Sequence, residues 1–214
     1  MNTKIVEKLA DKTISKEELF KKVKNNYDLI PEIINGMTSS KAAVRYGCGK
    51  VLMDISKENP EKLYPHMDFF INLLDSQYRI LIWQSMAIIA NLTRIDKNNK
   101  FEKIFEKYFS FIDNDYMVTV ANVVGHSGKI GIAKPHLINK ITNELLKVEK
   151  IKTTPHLTLE CKKVIAEQAI ESFDMFFEKV ENKKEVFSFV EKQRNSSRKT
   201  LKIKAEEFLK KWNN

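Results

Sequence analysis

Three segments of the chain repeat one apolar pattern at equal intervals. Val44, Ile82 and Val120 each start a run in which apolar or small residues follow four and eight positions later. The steps from 44 to 82 and from 82 to 120 are both 38 residues. Spacings of four and eight place side chains on one stripe of an α-helix. With further copies at Cys161 and Leu201, the sequence predicts five related helices.

Another segment with helical periodicity precedes each of these five helices. The chain holds only 6 glycines and 5 prolines, so it is poor in the residues that β-hairpins use. Five helical hairpins are therefore predicted, with a short insertion at 148–155. One hairpin of this length cannot bury its apolar face alone, so the hairpins are expected to stack. The preceding segments span 16–35, 61–75, 101–113, 134–148 and 183–193.

The pattern resembles the HEAT repeat family. Leu73-Leu74-Asp75 followed by Ile82 and Trp83 is similar to the family's leucine pair, turn aspartate and Val-Arg step, and Arg45 matches the family's usual arginine. The resemblance implies an all-α, right-handed α-α superhelix (solenoid) of about five HEAT-like, armadillo-type hairpins. It also implies a single HEAT-like repeat domain over 1–214. These repeats serve unrelated tasks, so the resemblance implies no particular activity.

Several functional classes lack their sequence signals. No stretch approaches 18 uncharged apolar residues, and the N-terminal residues lack the apolar core of a signal peptide, so a cytoplasmic protein is expected. The four histidines and two cysteines lack metal-ligand spacing, and no nucleotide-binding or nucleophile motif occurs. We therefore expect no metal, no cofactor and no catalytic residue. Whether the chain is an enzyme stays open, and a non-enzymatic role is favoured.

The positive charge concentrates at the C-terminal end. The whole chain has a formal charge of +9, and residues 192–211 hold eight cations against two carboxylates, a formal charge of +6. Such a cluster could follow a phosphate backbone, or could keep an end repeat soluble. The candidate phosphate-binding residues are Arg194, Arg198, Lys199 and Lys202.

A second set of candidates lies on the five related helices, which in such solenoids line the concave face. Basic residues there could make the groove positive, and aromatic residues could anchor a partner side chain or a base. A core role for the aromatic residues is the alternative. The candidate groove and partner-binding residues are Arg45, Tyr46, Arg79, Trp83, Lys162 and Lys163.

Two functional hypotheses follow. The first is a non-catalytic HEAT-repeat scaffold that docks a macromolecular partner, most simply a protein, in its concave groove. The alternative is a basic-groove DNA-binding or DNA-repair solenoid, similar to the alkylpurine DNA glycosylases that share the HEAT-like fold. The sequence leaves the oligomeric state open.

Overall fold

A computed structural model describes residues 5–212. Within that range the chain is helical, and its β-structure is limited to one isolated bridge between Thr154 and Leu157. The chain divides into two compact units, the first ending at Phe101 and the second beginning at Glu102. The single repeat domain over 1–214 stays a prediction.

The first unit contains the first two predicted hairpins. Its α-helices are α1 (Lys16–Asn25), α2 (Ile30–Gly36), α3 (Ala42–Glu58), α4 (Pro60–Leu63), α5 (Met67–Asn72) and α6 (Arg79–Leu92). Single turns of 3-10 helix occupy Ile5–Leu9, Tyr27–Leu29, Tyr64–His66, Leu73–Asp75 and Thr93–Ile95. The short helix α7 (Lys100–Lys103) spans the boundary between the units.

The second unit contains the longest helix, which has 18 residues. Its α-helices are α8 (Phe105–Ser110), α9 (Met117–Ala133), α10 (Ile138–Leu146), α11 (Leu159–Phe176), α12 (Lys183–Gln193) and α13 (Lys199–Trp212). Turns of 3-10 helix occupy Phe111–Asp113, Pro135–Leu137, Lys147–Lys150 and Phe177–Lys179.

The five related helices are confirmed as α3, α6, α9, α11 and α13. Each begins two or three residues before the position that the repeat predicts. Val44, Val120 and Leu201 occupy the same place in their copies, and all three are fully buried. Ile82 and Cys161, at the same place in the other two copies, are half-buried. The position four residues later faces the core in all five helices, since its residues are fully buried: Cys48, Met86, Val124, Ile165 and Ala205.

The segments that precede these helices are more broken than the sequence suggests. Pro65 lies in a 3-10 turn that separates α4 from α5, and Pro135 lies in a 3-10 turn before α10. Proline has no backbone N–H and disfavours helix at the preceding residue, which explains these two breaks. The third segment breaks without a proline at Ile104, where φ is −111° and ψ is 6°. Four of the five preceding segments are therefore divided into shorter helical pieces, and the fifth, 183–193, is a single α-helix as the sequence predicts.

Local signals otherwise act as the sequence indicates. Ser15 caps α1: its Oγ accepts from the Glu18 N–H at 3.1 Å, and the Glu18 carboxylate accepts from the Ser15 N–H at 2.8 Å. The predicted insertion is a non-helical segment at 151–158. There the Thr154 hydroxyl donates to the Asp115 carbonyl at 2.8 Å, and the His156 ring stacks on Tyr116 at 4.5 Å. These contacts hold the segment against the start of α9.

In the second unit, α11 packs between α9 and α13. The approach of α9 to α11 depends on glycine, because a Cβ on Gly131 would lie 2.5 Å from the Phe176 ring. The Ser172 hydroxyl donates to the Val124 carbonyl at 2.6 Å, which adds a buried hydrogen bond between the two helices. Close helix contact of this kind fixes the relative position of α9 and α11. In residues 5–212, no helix is long and apolar enough to cross a membrane.

Candidate partner-binding surfaces

An aromatic surface in the first unit contains two of the six predicted partner-binding residues. We define it as Tyr46, Tyr78, Ile80 and Trp83, near the N-terminal ends of α3 and α6. Tyr78 and Ile80 are 37% and 38% exposed, and Tyr46 and Trp83 are half-buried. The rings of Tyr46 and Tyr78 meet edge to face, with centroids 6.5 Å apart. Ile80 and Trp83 are three residues apart, so they lie on the same side of α6.

Arg45 lies beneath this surface and holds it in place. It is only 6% exposed. Its guanidinium donates to the carbonyls of Ser39 and Ser40 at 2.7 and 3.1 Å and to the Tyr46 hydroxyl at 3.2 Å. The guanidinium carbon lies 3.8 Å from the Tyr78 ring centroid. Arg45 therefore orders the two tyrosines, and its direct contact with a partner stays a prediction.

The remaining candidates of the first unit border the same area. Arg79 is the first residue of α6 and is exposed. A cleft of about 670 Å³ opens beside Tyr46. Its apolar wall is formed by Leu9, Ile14, Ala42, Ala43 and Gly47, and Lys12 and Lys16 lie among its polar lining residues.

In the second unit, Lys162 and Lys163 lie in the first turns of α11 beside an apolar pocket. The Lys163 ammonium is engaged, since it donates to Glu160 at 2.9 Å and to the Ser197 hydroxyl at 2.6 Å. Lys162 has no ion-pair partner in residues 5–212. The pocket, of about 300 Å³, is lined by Val148, Glu149, Leu159, Lys162, Lys163, Ala166, Phe189 and Gln193.

The four candidate phosphate-binding residues lie at the start of α13 or just before it. Arg198 donates to Glu167 at 2.9 Å and to Glu160 at 3.1 Å, and these two hydrogen bonds raise the pKa of its guanidinium. Arg194 pairs with Glu191 at 2.6 Å, and Lys202 lies 4.0 Å from Glu206. Lys199 is exposed and has no ion-pair partner in the part of the chain that the structure describes.

These pairs belong to a longer series, which we call the α11–α13 ladder. Carboxylates along one side of α11 meet cations in α13 or just before it: Glu160 and Glu167 meet Arg198, Glu171 meets Lys204, and Asp174 meets Lys211 at 2.9 Å. Lys163 and Arg198 together hold the pKa of Glu160 below its usual value. Six of the eight cations in 192–211 have a carboxylate partner, including Lys192 with Glu149. Most of the excess charge that the sequence places at the C-terminal end is therefore neutralised locally.

The sequence analysis missed the acidic side of this ladder. The carboxylates lie 31–38 residues before their cations, which is close to one repeat. A count restricted to 192–211 could not include them. Comparing each cation with the residues one repeat upstream would have indicated the pairing.

Solved structures identify the fold. A designed armadillo repeat protein is similar at a TM-score of 0.61 and 18% identity, over 97% of this chain and 90% of that chain. A designed armadillo repeat protein in complex with the peptide (KR)4 gives a TM-score of 0.63 at 17% identity, over 96% and 90% of the two chains. This chain has an armadillo-type fold. The all-α fold class predicted from the sequence is thereby confirmed.

A third armadillo-type structure extends the comparison. Computationally designed armadillo repeat proteins for modular peptide recognition match at a TM-score of 0.60 and 18% identity, over 97% of this chain and 90% of that chain. No protein-family model and no curated protein matches the sequence. The armadillo likeness therefore establishes the fold, and the function has to be argued from the surfaces.

The armadillo-type chain has both cysteines as free thiols. Cys48 is buried in α3, and this burial raises the pKa of its thiol to about 12. A buried thiol with a raised pKa is a packing group rather than a nucleophile. Across residues 5–212, the structure brings together no group of three His, Cys, Asp or Glu side chains that could hold a metal ion.

Proposed function

We propose that this chain is a non-catalytic armadillo-type scaffold that binds a polypeptide partner through the aromatic surface. The observation that carries the proposal is the way Arg45 fixes Tyr46 and Tyr78 while leaving Tyr78 more than a third exposed. Two of the similar structures support it, one titled for modular peptide recognition and one in complex with the peptide (KR)4.

The physical reason is the low entropic cost of binding to ordered aromatic side chains. Each rotamer-rich side chain that is immobilised on binding costs about 0.5–1.5 kcal/mol. Tyr46 and Tyr78 are already held by a buried guanidinium, so most of that cost is met on folding. Tyrosine and tryptophan are also enriched among residues that dominate interface energies. Ile80 and Trp83 extend the same surface with apolar area.

The first test identifies the partner at the surface itself. A photo-crosslinking amino acid in place of Ile80 is expected to attach a polypeptide, because Ile80 is exposed beside Tyr78. The matched control has the same amino acid in place of Ile203, which is 40% exposed on α13. The affinity of the purified partner for Tyr78→Ala is then expected to fall by about 30-fold, the size of a typical hot-spot residue.

Isothermal titration calorimetry measures that change, and circular dichroism checks that the helices persist. Equal crosslinking from positions 80 and 203, or an affinity that Tyr78→Ala leaves unchanged, would count against the aromatic surface. Arg45 is a poor target for this test because its substitution would also expose the carbonyls of Ser39 and Ser40.

The nucleic-acid alternative leads to a separate prediction. Arg194 and Arg198 are paired with carboxylates, so a phosphate would have to displace a carboxylate from each guanidinium. Replacing both by glutamine is expected to change DNA affinity by no more than about twofold, because only cations that neutralise phosphates release counterions. Lys199→Gln with Lys210→Gln is the matched control, since neither lysine has an ion-pair partner in residues 5–212.

Fluorescence anisotropy with labelled single-stranded and duplex DNA across a salt series measures both variants. We expect the lysine pair to reduce binding more than the arginine pair. A loss of about tenfold or more in the arginine variant, with unchanged helix content, would show that the arginines leave their carboxylates for phosphates and would revive the DNA-binding hypothesis.

A further inference from the structure

The pocket beside Lys162 in the second unit has an exposed apolar rim that the fold does not explain. Leu159 is the first residue of α11 and is 69% exposed, the largest exposed fraction among the large apolar side chains that the structure describes. The start of α11 is already capped by Thr158, whose hydroxyl accepts from the Cys161 N–H at 3.3 Å. The first turn of a helix favours polar or acidic residues. Neither capping nor core packing therefore accounts for leucine at 159.

The floor of the pocket is apolar and rigid. Val148, Ala166 and Phe189 line it and are each less than a tenth exposed. Phe189 is fixed by an edge-to-face contact with Phe173, with centroids 5.9 Å apart. An adjacent cleft of about 430 Å³ shares Glu149 and Phe189 and continues along the end of α10. An apolar side chain inserted beside Leu159 would meet a preformed wall.

One charged side chain at this pocket has no partner of opposite charge in residues 5–212. Of the charged lining residues, Glu149 pairs with Lys192 and Lys163 pairs with Glu160. Lys162 alone has no carboxylate partner in residues 5–212. Charge complementarity therefore calls for an occupant that brings its own carboxylate next to an apolar side chain.

We propose that this pocket is a second docking site, which takes an acidic peptide segment of a partner protein with one large apolar anchor. The anchor contacts Leu159, Ala166 and Phe189, and a neighbouring carboxylate of the segment pairs with Lys162. The contact is separate from the aromatic surface, so Tyr78→Ala leaves it intact. A pocket of about 300 Å³ has room for a single large side chain and little more, which makes the site one of short linear segments.

The test uses a short fluorescein-labelled peptide in which a Phe-Leu pair is followed by two glutamates. Fluorescence anisotropy with the full chain is expected to give a Kd on the order of 10–100 μM, the range of a small interface. Replacing the Phe-Leu pair by Ala-Ala is expected to remove binding. Leu159→Asp is expected to weaken binding at least about tenfold, a typical loss for an apolar anchor contact. Ile132→Asp, at another exposed apolar position in the same unit, is the matched control and should bind as the wild type does.

A charge exchange tests the role of Lys162 directly. Lys162→Glu should lower the affinity for the glutamate peptide by about five- to tenfold. The same variant should bind a peptide with lysines in place of the two glutamates more tightly than the wild type does. Circular dichroism and tryptophan fluorescence check the fold of each variant. The proposal is overturned if the glutamate peptide does not bind, if Leu159→Asp binds it as the wild type does, or if the charge exchange gives no rescue. The proposal is also overturned if sedimentation shows that the wild type is a dimer and that Leu159→Asp is a monomer. The occupant of the pocket would then be a second copy of this chain.

Discussion

Replacing Phe173 by alanine is expected to lower the free energy of unfolding of the second unit by about 3–5 kcal/mol, the cost of deleting a fully buried phenylalanine ring. Phe173 is fully buried in α11 and contacts the rings of Phe176 and Phe189 edge to face. Its removal leaves a cavity between α11 and α12 that these neighbours can only partly fill. Urea denaturation measures the loss.

The two tryptophans of the chain allow this loss to be assigned to one unit. Trp83 lies in the first unit, and Trp212 lies in the second, where its indole N–H donates to Asp174 at 2.7 Å. In a Trp83→Phe background the emission comes from Trp212. Phe187→Ala deletes the same ring at a half-buried position of α12 and should cost less. A loss below about 1 kcal/mol for Phe173→Ala would mean that the site collapses without a cavity, contrary to the packing described.

Asp96→Ala is expected to destabilise the first unit by about 3 kcal/mol, because one buried carboxylate serves three donors. Asp96 is 5% exposed and accepts from the Tyr64 hydroxyl at 2.7 Å and from the backbone N–H groups of Lys100 and Phe101 at 3.0 and 2.9 Å. Alanine would leave these donors without their acceptor and α7 without its cap.

Denaturation followed by Trp83 in a Trp212→Phe background measures this effect. Asp68→Ala is the matched control, since Asp68 is exposed and its ion pair with Lys100 contributes at most about 1 kcal/mol. Tyr64→Phe removes one of the three donors and should cost about 0.5–1.5 kcal/mol. If Asp96→Ala costs no more than Asp68→Ala, solvent replaces the carboxylate and the three bonds do not stabilise the unit.

The repeat could be predicted from the sequence because a stacked helix must bury the same face in every copy. Cys48, Met86 and Val124 meet that constraint, since all three are fully buried, and the 38-residue spacing between them located the long helices to within a few residues. The breaks in the preceding segments were harder to foresee. Proline explains those at Pro65 and Pro135, whereas nothing in the local sequence at Ile104 signals a change of backbone conformation.

The candidate sites could be predicted only as far as residue type. Arg45 was assigned to the groove because it is a basic residue on one of the five related helices, yet its partners are the turn at Ser39 and Ser40 and the Tyr78 ring of the next hairpin. A side chain that bridges two hairpins has no signature within either one. The same reason hid the partners of Arg198, which lie a full repeat away.

The α11–α13 ladder makes two helices interdependent in a way that limits how such a chain can be rearranged. A version that ended before α12 would leave Glu160, Glu167, Glu171 and Asp174 as four like charges along one helix. A duplicated or transplanted copy of α13 would carry its cations to a neighbour without matching acids. The last two hairpins would therefore have to be inherited, exchanged or engineered as one module, although the repeat pattern treats them as separate copies.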